Sequence, residues 1–191
     1  MSYYFTIVGT RDNPLFELEF GTSKLGGDGT ARFRDEAKYM NQFIIHAALD
    51  MVEEVQWANK DLYALSVSLL PSRHTYLKRV DTFQNNHIHT FLTGGNVKFM
   101  LLMNPDPQSA TYSQYANSPP SRPNTASSRQ NAGLLAANPT SQATEEAVKV
   151  FMGEVYENWV KCLMNPFYHA NQPVTSPIFR SRVQAAAKKY L

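Results

Sequence analysis

A single cysteine, Cys162, in 191 residues excludes an internal disulfide, and that usage suits a reducing compartment such as the cytosol. Set among apolar residues at helical spacing, it reads as a small apolar side chain rather than a reactive thiol. Long apolar runs are missing as well. The longest is Phe99-Met100-Leu101-Leu102-Met103, far short of the ~20 residues of a membrane-crossing helix. Met1-Ser2-Tyr3-Tyr4 leads directly into a strand-like segment and carries no signal-peptide pattern. Neither sign of charge dominates: 18 Lys and Arg stand against 16 Asp and Glu, for a net charge of +2. No basic block exceeds Lys188-Lys189, which points away from nucleic acid as a partner. A polybasic membrane patch is equally weak, since Arg180, Arg182, Lys188 and Lys189 lie near a helix end whose dipole favours cations.

What the chain does have is 43% hydrophobic residues over a length that suits one domain with a real core. The most telling stretch is the helix expected from about Asp35 to Trp57. At 100° per residue, Met40, Phe43, Ile44, Ala47, Ala48, Met51 and Val55 form one broad apolar face. Ile45, Leu49 and Val52 widen it, leaving only Gln42, His46, Asp50, Glu53 and Glu54 as a polar stripe. A helix lying on one sheet needs an apolar stripe of about 100°, and this one has about twice that. The excess requires a second layer or another protein to cover it.

Around this helix the chain reads as short strands. Tyr3 to Val8 and Leu15 to Phe20 flank the turn chemistry of Gly9 to Pro14, with Phe16, Leu18 and Phe20 inward and Glu17 and Glu19 toward water. The Gly-rich segment from Gly21 to about Ala31 lacks both a following Lys-Ser/Thr and a dinucleotide fingerprint, so it reads as a flexible connection. Tyr76 to Phe83, His87 to Thr93 and Val97 to Met103 form a meander, its second turn signalled by Gly94-Gly95-Asn96. The Ser/Pro/Asn-rich stretch at about 105–142 is expected to be a disordered insertion. Glu145 to Leu163 resumes helical spacing, Asn165-Pro166 stops it, and Ser176-Pro177 starts a last helix. The fold class is therefore α+β: a single domain over 1–191 in the order β-β-α-β-β-β-α-α. Its simplest form is a five-stranded antiparallel sheet with one helix on one face and two on the other.

Few constellations suggest chemistry. His46 and Asp50, four apart on one helix, would be half of a hydrolytic triad. No nucleophile elbow or oxyanion hole accompanies them. A local polar pair, or a specificity charge at the rim of an apolar contact surface, are the alternatives. His87 and His89 project from one side of a strand without a third zinc ligand nearby. No paired carboxylates sit in an apolar setting. The expectation is no catalytic residue, no metal and no cofactor.

Several blocks resemble the sedlin family: Ile7-Val8-Gly9, Asp12 to Phe20, Asn41 to Asp50, Tyr76 to Phe83, and Met164-Asn165-Pro166-Phe167-Tyr168. The resemblance spans the first strand to the last helix. It implies a longin-like (profilin-like) fold and a non-enzymatic adaptor role within the TRAPP vesicle-tethering complex, in ER-to-Golgi and Golgi transport. Implied partners are other TRAPP core subunits and large accessory subunits, with a Rab GTPase reached only through the complex. Implied localisation is cytoplasmic and peripheral at ER–Golgi and Golgi membranes, again through the complex. The motif ending Ala47-Ala48-Leu49-Asp50 implies a partner-contacting carboxylate at Asp50, beside which His46, Ile45, Leu49 and Val52 are expected to be presented. The chain departs from the family pattern in the Gly26-Gly27 loop, in the length of 58–74, and in the 105–142 insertion, where Ser118 is a candidate phosphorylation site. A longin-type subunit of an adaptor coat, or one associated with SNAREs, is the alternative. A SNARE would need a heptad helix and a membrane anchor after the domain, and the sequence stops at Leu191.

Overall fold

The computed structural model describes residues 1–23, 27–33, 35–58, 74–105 and 139–191. Its elements are β1 (Ser2–Val8), β2 (Pro14–Gly21), α1 (Asp35–Ala58), β3 (His74–Phe83), β4 (Asn86–Thr93), β5 (Lys98–Asn104), α2 (Gln142–Leu163) and α3 (Pro177–Tyr190). The strands form one antiparallel sheet in the order β2-β1-β5-β4-β3. This is the α+β, longin-like arrangement expected from the sequence.

Central strands β1 and β5 are apolar on both faces, so the sheet must be covered twice. On one side Phe5, Ile7, Phe99, Leu101 and Met103 pack with Val148, Phe151, Val155 and Trp159 of α2 and with Phe179 and Val183 of α3. Edge-on ring contacts run through this layer, Phe5 to Phe151 at 5.4 Å and Phe16 to Phe179 at 4.9 Å between centroids. On the other side Tyr4, Val8, Ile88, Leu92, Met100 and Leu102 pack with Ile44, Ile45, Ala48, Leu49 and Val52 of α1.

Turns and caps follow local chemistry. Asp12 and Asn96 take left-handed φ values of 56° and 57°, which short polar side chains tolerate, and these turns reverse β1 into β2 and β4 into β5. Ser141 caps α2 by accepting from the Thr144 amide, and Ser176 caps α3 by accepting from the Phe179 amide. The helix thus begins inside the end of the segment expected to be disordered, whose residues 106–138 lie outside the described ones. Residues 24–26 of the Gly-rich loop also lie outside them, but its later part folds back on β2. Gly21 and Gly29 share a backbone hydrogen bond of 2.9 Å. A Cβ on Gly21 would meet the Thr30 carbonyl oxygen at 2.1 Å, so this approach requires glycine.

Two polar groups depart from simple alternation. Glu17 does not face water freely: its Oε1 accepts from the Tyr4 hydroxyl at 2.7 Å and from Gln42 Nε2 at 3.0 Å. Burial, and then the neighbouring carboxylate, push the Tyr4 hydroxyl well above its ordinary pKa. Lys98 is buried, and its Nζ lies 2.9 Å from Asp12 Oδ1 and 4.0 Å from Glu53 Oε1. One cation therefore ties β5 to the β1–β2 turn and to α1.

Phe99 stands where the ring layer meets the sheet, stacked on Phe91 and edge-on to Trp159. Phe99→Ala is expected to cost about 3–5 kcal/mol of unfolding free energy, measured by urea denaturation. A loss below ~1 kcal/mol would show that the site collapses around the missing ring.

Candidate functional site

Helix α1 has a double character that periodicity could not resolve. Its inward arc is Asn41, Ile44, Ile45, Ala48, Leu49 and Val52, all buried. The expectation that Ile45, Leu49 and Val52 are presented to a partner is therefore corrected. All three pack on the sheet, because α1 lies with the middle of the Ile44-to-Leu49 arc toward Met100 and Leu102. Each side chain so buried contributes roughly 1.5–3 kcal/mol to the fold.

Val55 packs half-buried against the same cluster, while the other apolar residues turn outward. Met40, Phe43 and Met51 are exposed large apolar side chains, Phe43 to 63%, and Ala47 lies exposed between them. At spacings of three and four residues they form one ridge along the helix. His46, Asp50 and Glu54 flank this ridge and are also exposed. No hydrogen bond joins His46 to Asp50 among the described residues, so the catalytic half-triad geometry is absent at that pair. Asp50 instead stands as a carboxylate at the edge of an exposed apolar ridge. The signal for the ridge was present in the sequence as Met40, Phe43, Ala47 and Met51; only its outward direction was hidden.

A crevice of about 200 Å³ runs beside this helix, where α1 leaves the β1–β2 end of the sheet partly open. Tyr4, Thr6, Asp12, Glu17, Gln42 and His46 line it, with Ile45 and Leu49 at its floor. The Thr6 hydroxyl is buried there without a hydrogen-bond partner. His46 thus belongs to the rim of this crevice as well as to the polar margin of α1.

His87 and His89 lie on the opposite face of the sheet. His89 is buried, with its Nδ1 2.8 Å from the Tyr76 hydroxyl and its ring stacked on Tyr76. Among the described residues, no three His, Cys, Asp or Glu side chains are grouped to hold a metal ion. Burial, then the charges of His87 and Arg79, push the His89 pKa down to about 4. His87 is lowered by burial and by Arg79. These are properties of packed neutral imidazoles. No helix among the described residues is long and apolar enough to cross a membrane.

The family model described as Sedlin matches residues 7–189. The chain is 30% identical over 191 residues to the Transport protein particle 20 kDa subunit of Schizosaccharomyces pombe, covering 100% of both chains. It is 30% identical over 207 residues to Trafficking protein particle complex subunit 20 of Saccharomyces cerevisiae, covering 100% of this chain and 99% of that one. It is 26% identical over 190 residues to the Probable trafficking protein particle complex subunit 2 of Drosophila melanogaster, covering 100% and 97%.

The buried imidazole makes stability depend on pH. His89 takes its proton near pH 4 in the folded chain and near 6.5 at its ordinary value. As pH falls from 6.5 toward 4 the unfolded chain gains the proton first, so stability drops through that window and levels off below it. At about 1.4 kcal/mol per unit, His89 alone contributes a loss of about 3 kcal/mol. His89→Gln is expected to flatten that part of the profile in urea titrations at pH 7, 5.5 and 4. An unfolding free energy that falls by the same amount in both proteins would assign the pH dependence to other groups.

Proposed function

The chain belongs to the sedlin family, and from that premise we propose that it is a non-enzymatic subunit of a TRAPP-type trafficking complex, acting as an adaptor between other subunits. The observation that carries the reading is the outward ridge of α1. One side of that helix is already satisfied by the sheet, yet Met40, Phe43, Ala47 and Met51 remain exposed in a row beside Asp50. Apolar contacts at the centre of an interface supply affinity, and charges at the rim fix orientation and partner choice. The relatives' names, which describe subunits of a particle complex, support the same role.

In this reading α1 is a docking face for a neighbouring TRAPP subunit. Phe43 is the anchor, Asp50 is the orienting charge and His46 is at the margin. The protein links the core to larger accessory subunits, works in ER-to-Golgi and Golgi transport, and reaches membranes and a Rab GTPase through the assembly. The segment 106–138, with Ser118, lies outside the described residues and enters no part of this reading.

The test is paired substitution on the exposed face. Asp50→Lys is expected to weaken capture of the neighbouring subunit by ~1–3 kcal/mol. Because Asp50 is exposed, its unfolding free energy should stay within about 0.5 kcal/mol of the parent. Phe43→Ser should weaken capture more than Asp50→Lys at similar stability. Binding isotherms with purified complex lacking this subunit give the affinities, and urea denaturation gives the stabilities. Full-strength capture by both variants would move the interface away from α1.

A further inference from the structure

Charge is divided between the two helical layers. Across the sheet from Asp50, Glu53 and Glu54, helix α3 carries Arg180, Arg182, Lys188 and Lys189 and no carboxylate. Several cations among the described residues are answered: Lys98 by Asp12, Lys189 by Glu154, and Arg180 by the Phe16 ring and the Glu17 carbonyl. Among the described residues, Arg182 donates only to the uncharged Oδ1 of Asn158, at 3.2 Å. It borders an open cavity of about 470 Å³ where the end of α2, the 164–176 connection and the start of α3 meet. That volume lies in the range of about 300–1,000 Å³ typical of ligand pockets. Lys161 lines it too, and among the described residues no carboxylate does. Glu154 and Glu157 border an adjoining hollow that Lys161 also lines, and a hydrogen bond with Tyr190, helped by the Lys161 charge, holds the Glu154 carboxyl below its ordinary pKa. The apolar wall includes Phe179 and Ile178, and the rim is unusually apolar for free surface, with Phe167 exposed to 84% and Ile178 to 66%.

We propose that this cavity seats a segment of a second partner subunit that carries an Asp or Glu beside a large apolar residue. The carboxylate pairs with Arg182 and Lys161, and the apolar neighbour packs between Ile178 and Phe167. This rests on the subunit reading above and extends it, because the site lies on the opposite face of the sheet from α1 and both can be occupied together. Two cations in a concave apolar wall suit a carboxylate on a peptide. An anionic membrane surface is met by flat clusters of about 4–8 basic residues.

Cys162 is half-buried in the cavity wall and is the only cysteine of the chain, so it reports occupancy without engineering. The full chain is purified alone and with its associated subunits, and alkylation of Cys162 by iodoacetamide is followed by mass spectrometry of its peptide. In the complex the reaction is expected to be about tenfold slower, because a seated segment shields the thiol. Lys161→Glu should restore most of the free-chain rate, and Lys161→Arg should not. A photo-cross-linker in place of Gln172, an exposed position on the rim, should capture a partner peptide containing Asp or Glu. Co-purification with Cys162 still reacting at the free-chain rate overturns this inference alone, as does a cross-linked peptide without a carboxylate. Protection of the free chain by phosphatidylserine vesicles overturns it in favour of a lipid surface. Absence of any associated subunit overturns the subunit reading and this inference with it.

Discussion

The two-sided burial of β5 organises the molecule. Phe99, Leu101 and Met103 face one way and Met100 and Leu102 the other, and all are fully buried. A strand of this kind cannot sit at an edge or on a half-exposed sheet. It draws β1 and β4 to its flanks and a helical layer to each face. The chain meets these demands with α1 on one side and the α2–α3 pair on the other. Even the polar residue that opens β5, Lys98, is absorbed, since its stem is buried and its charge is returned to Asp12 and Glu53 at the margin.

Covering a sheet with one helix on one side and two on the other has a consequence for the outside. The pair α2–α3 shares the apolar surface of its face, with ring contacts from Phe16 to Phe179 and from Phe179 to Trp159 filling the space between. Helix α1 works alone, and it crosses a face broader than itself. It therefore spends one full arc on Met100, Leu102 and Ile88 and leaves the β1–β2 end of the sheet open as a crevice. The apolar ridge on its far side contributes nothing to this fold. Exposed apolar residues such as Phe43 and Met51, set in a row, are the feature on which the proposed docking face rests.

Three polar groups show how charge is handled at the sheet. Lys98, buried, and Glu17, half-buried, are paired across elements and tie the turns and α1 to the sheet. His89 is held neutral against Tyr76, a packed imidazole rather than a ligand or base. None of the arrangements at His46, His87 or His89 brings together a nucleophile, a base and an orienting group. What the surface offers is shape and charge: an acidic-flanked apolar ridge on one side, and a basic-flanked apolar hollow on the other.

Much of this was legible in the residues. Period-two apolar runs with turn chemistry between them marked the strands, and 3.6-residue spacing marked the helices, with Ser176 as the cap of the last, because those signals are local and depend on a few neighbouring side chains. The excess apolar width of α1 was legible for the same reason. Its orientation was not. In an apolar arc of about 200°, Ile45, Leu49 and Val52 and the set Met40, Phe43 and Met51 are equivalent until a sheet approaches from one side. Likewise Glu17 read as a solvent-facing strand residue because Tyr4 and Gln42, its partners, come from other elements. The hollow around Arg182 and Phe167 had no signature at all, since it is assembled from three segments whose meeting is set by packing. Local periodicity determined which elements form and that one helix has apolar surface to spare; only the docking of that helix on the sheet decided which residues are core and which remain exposed.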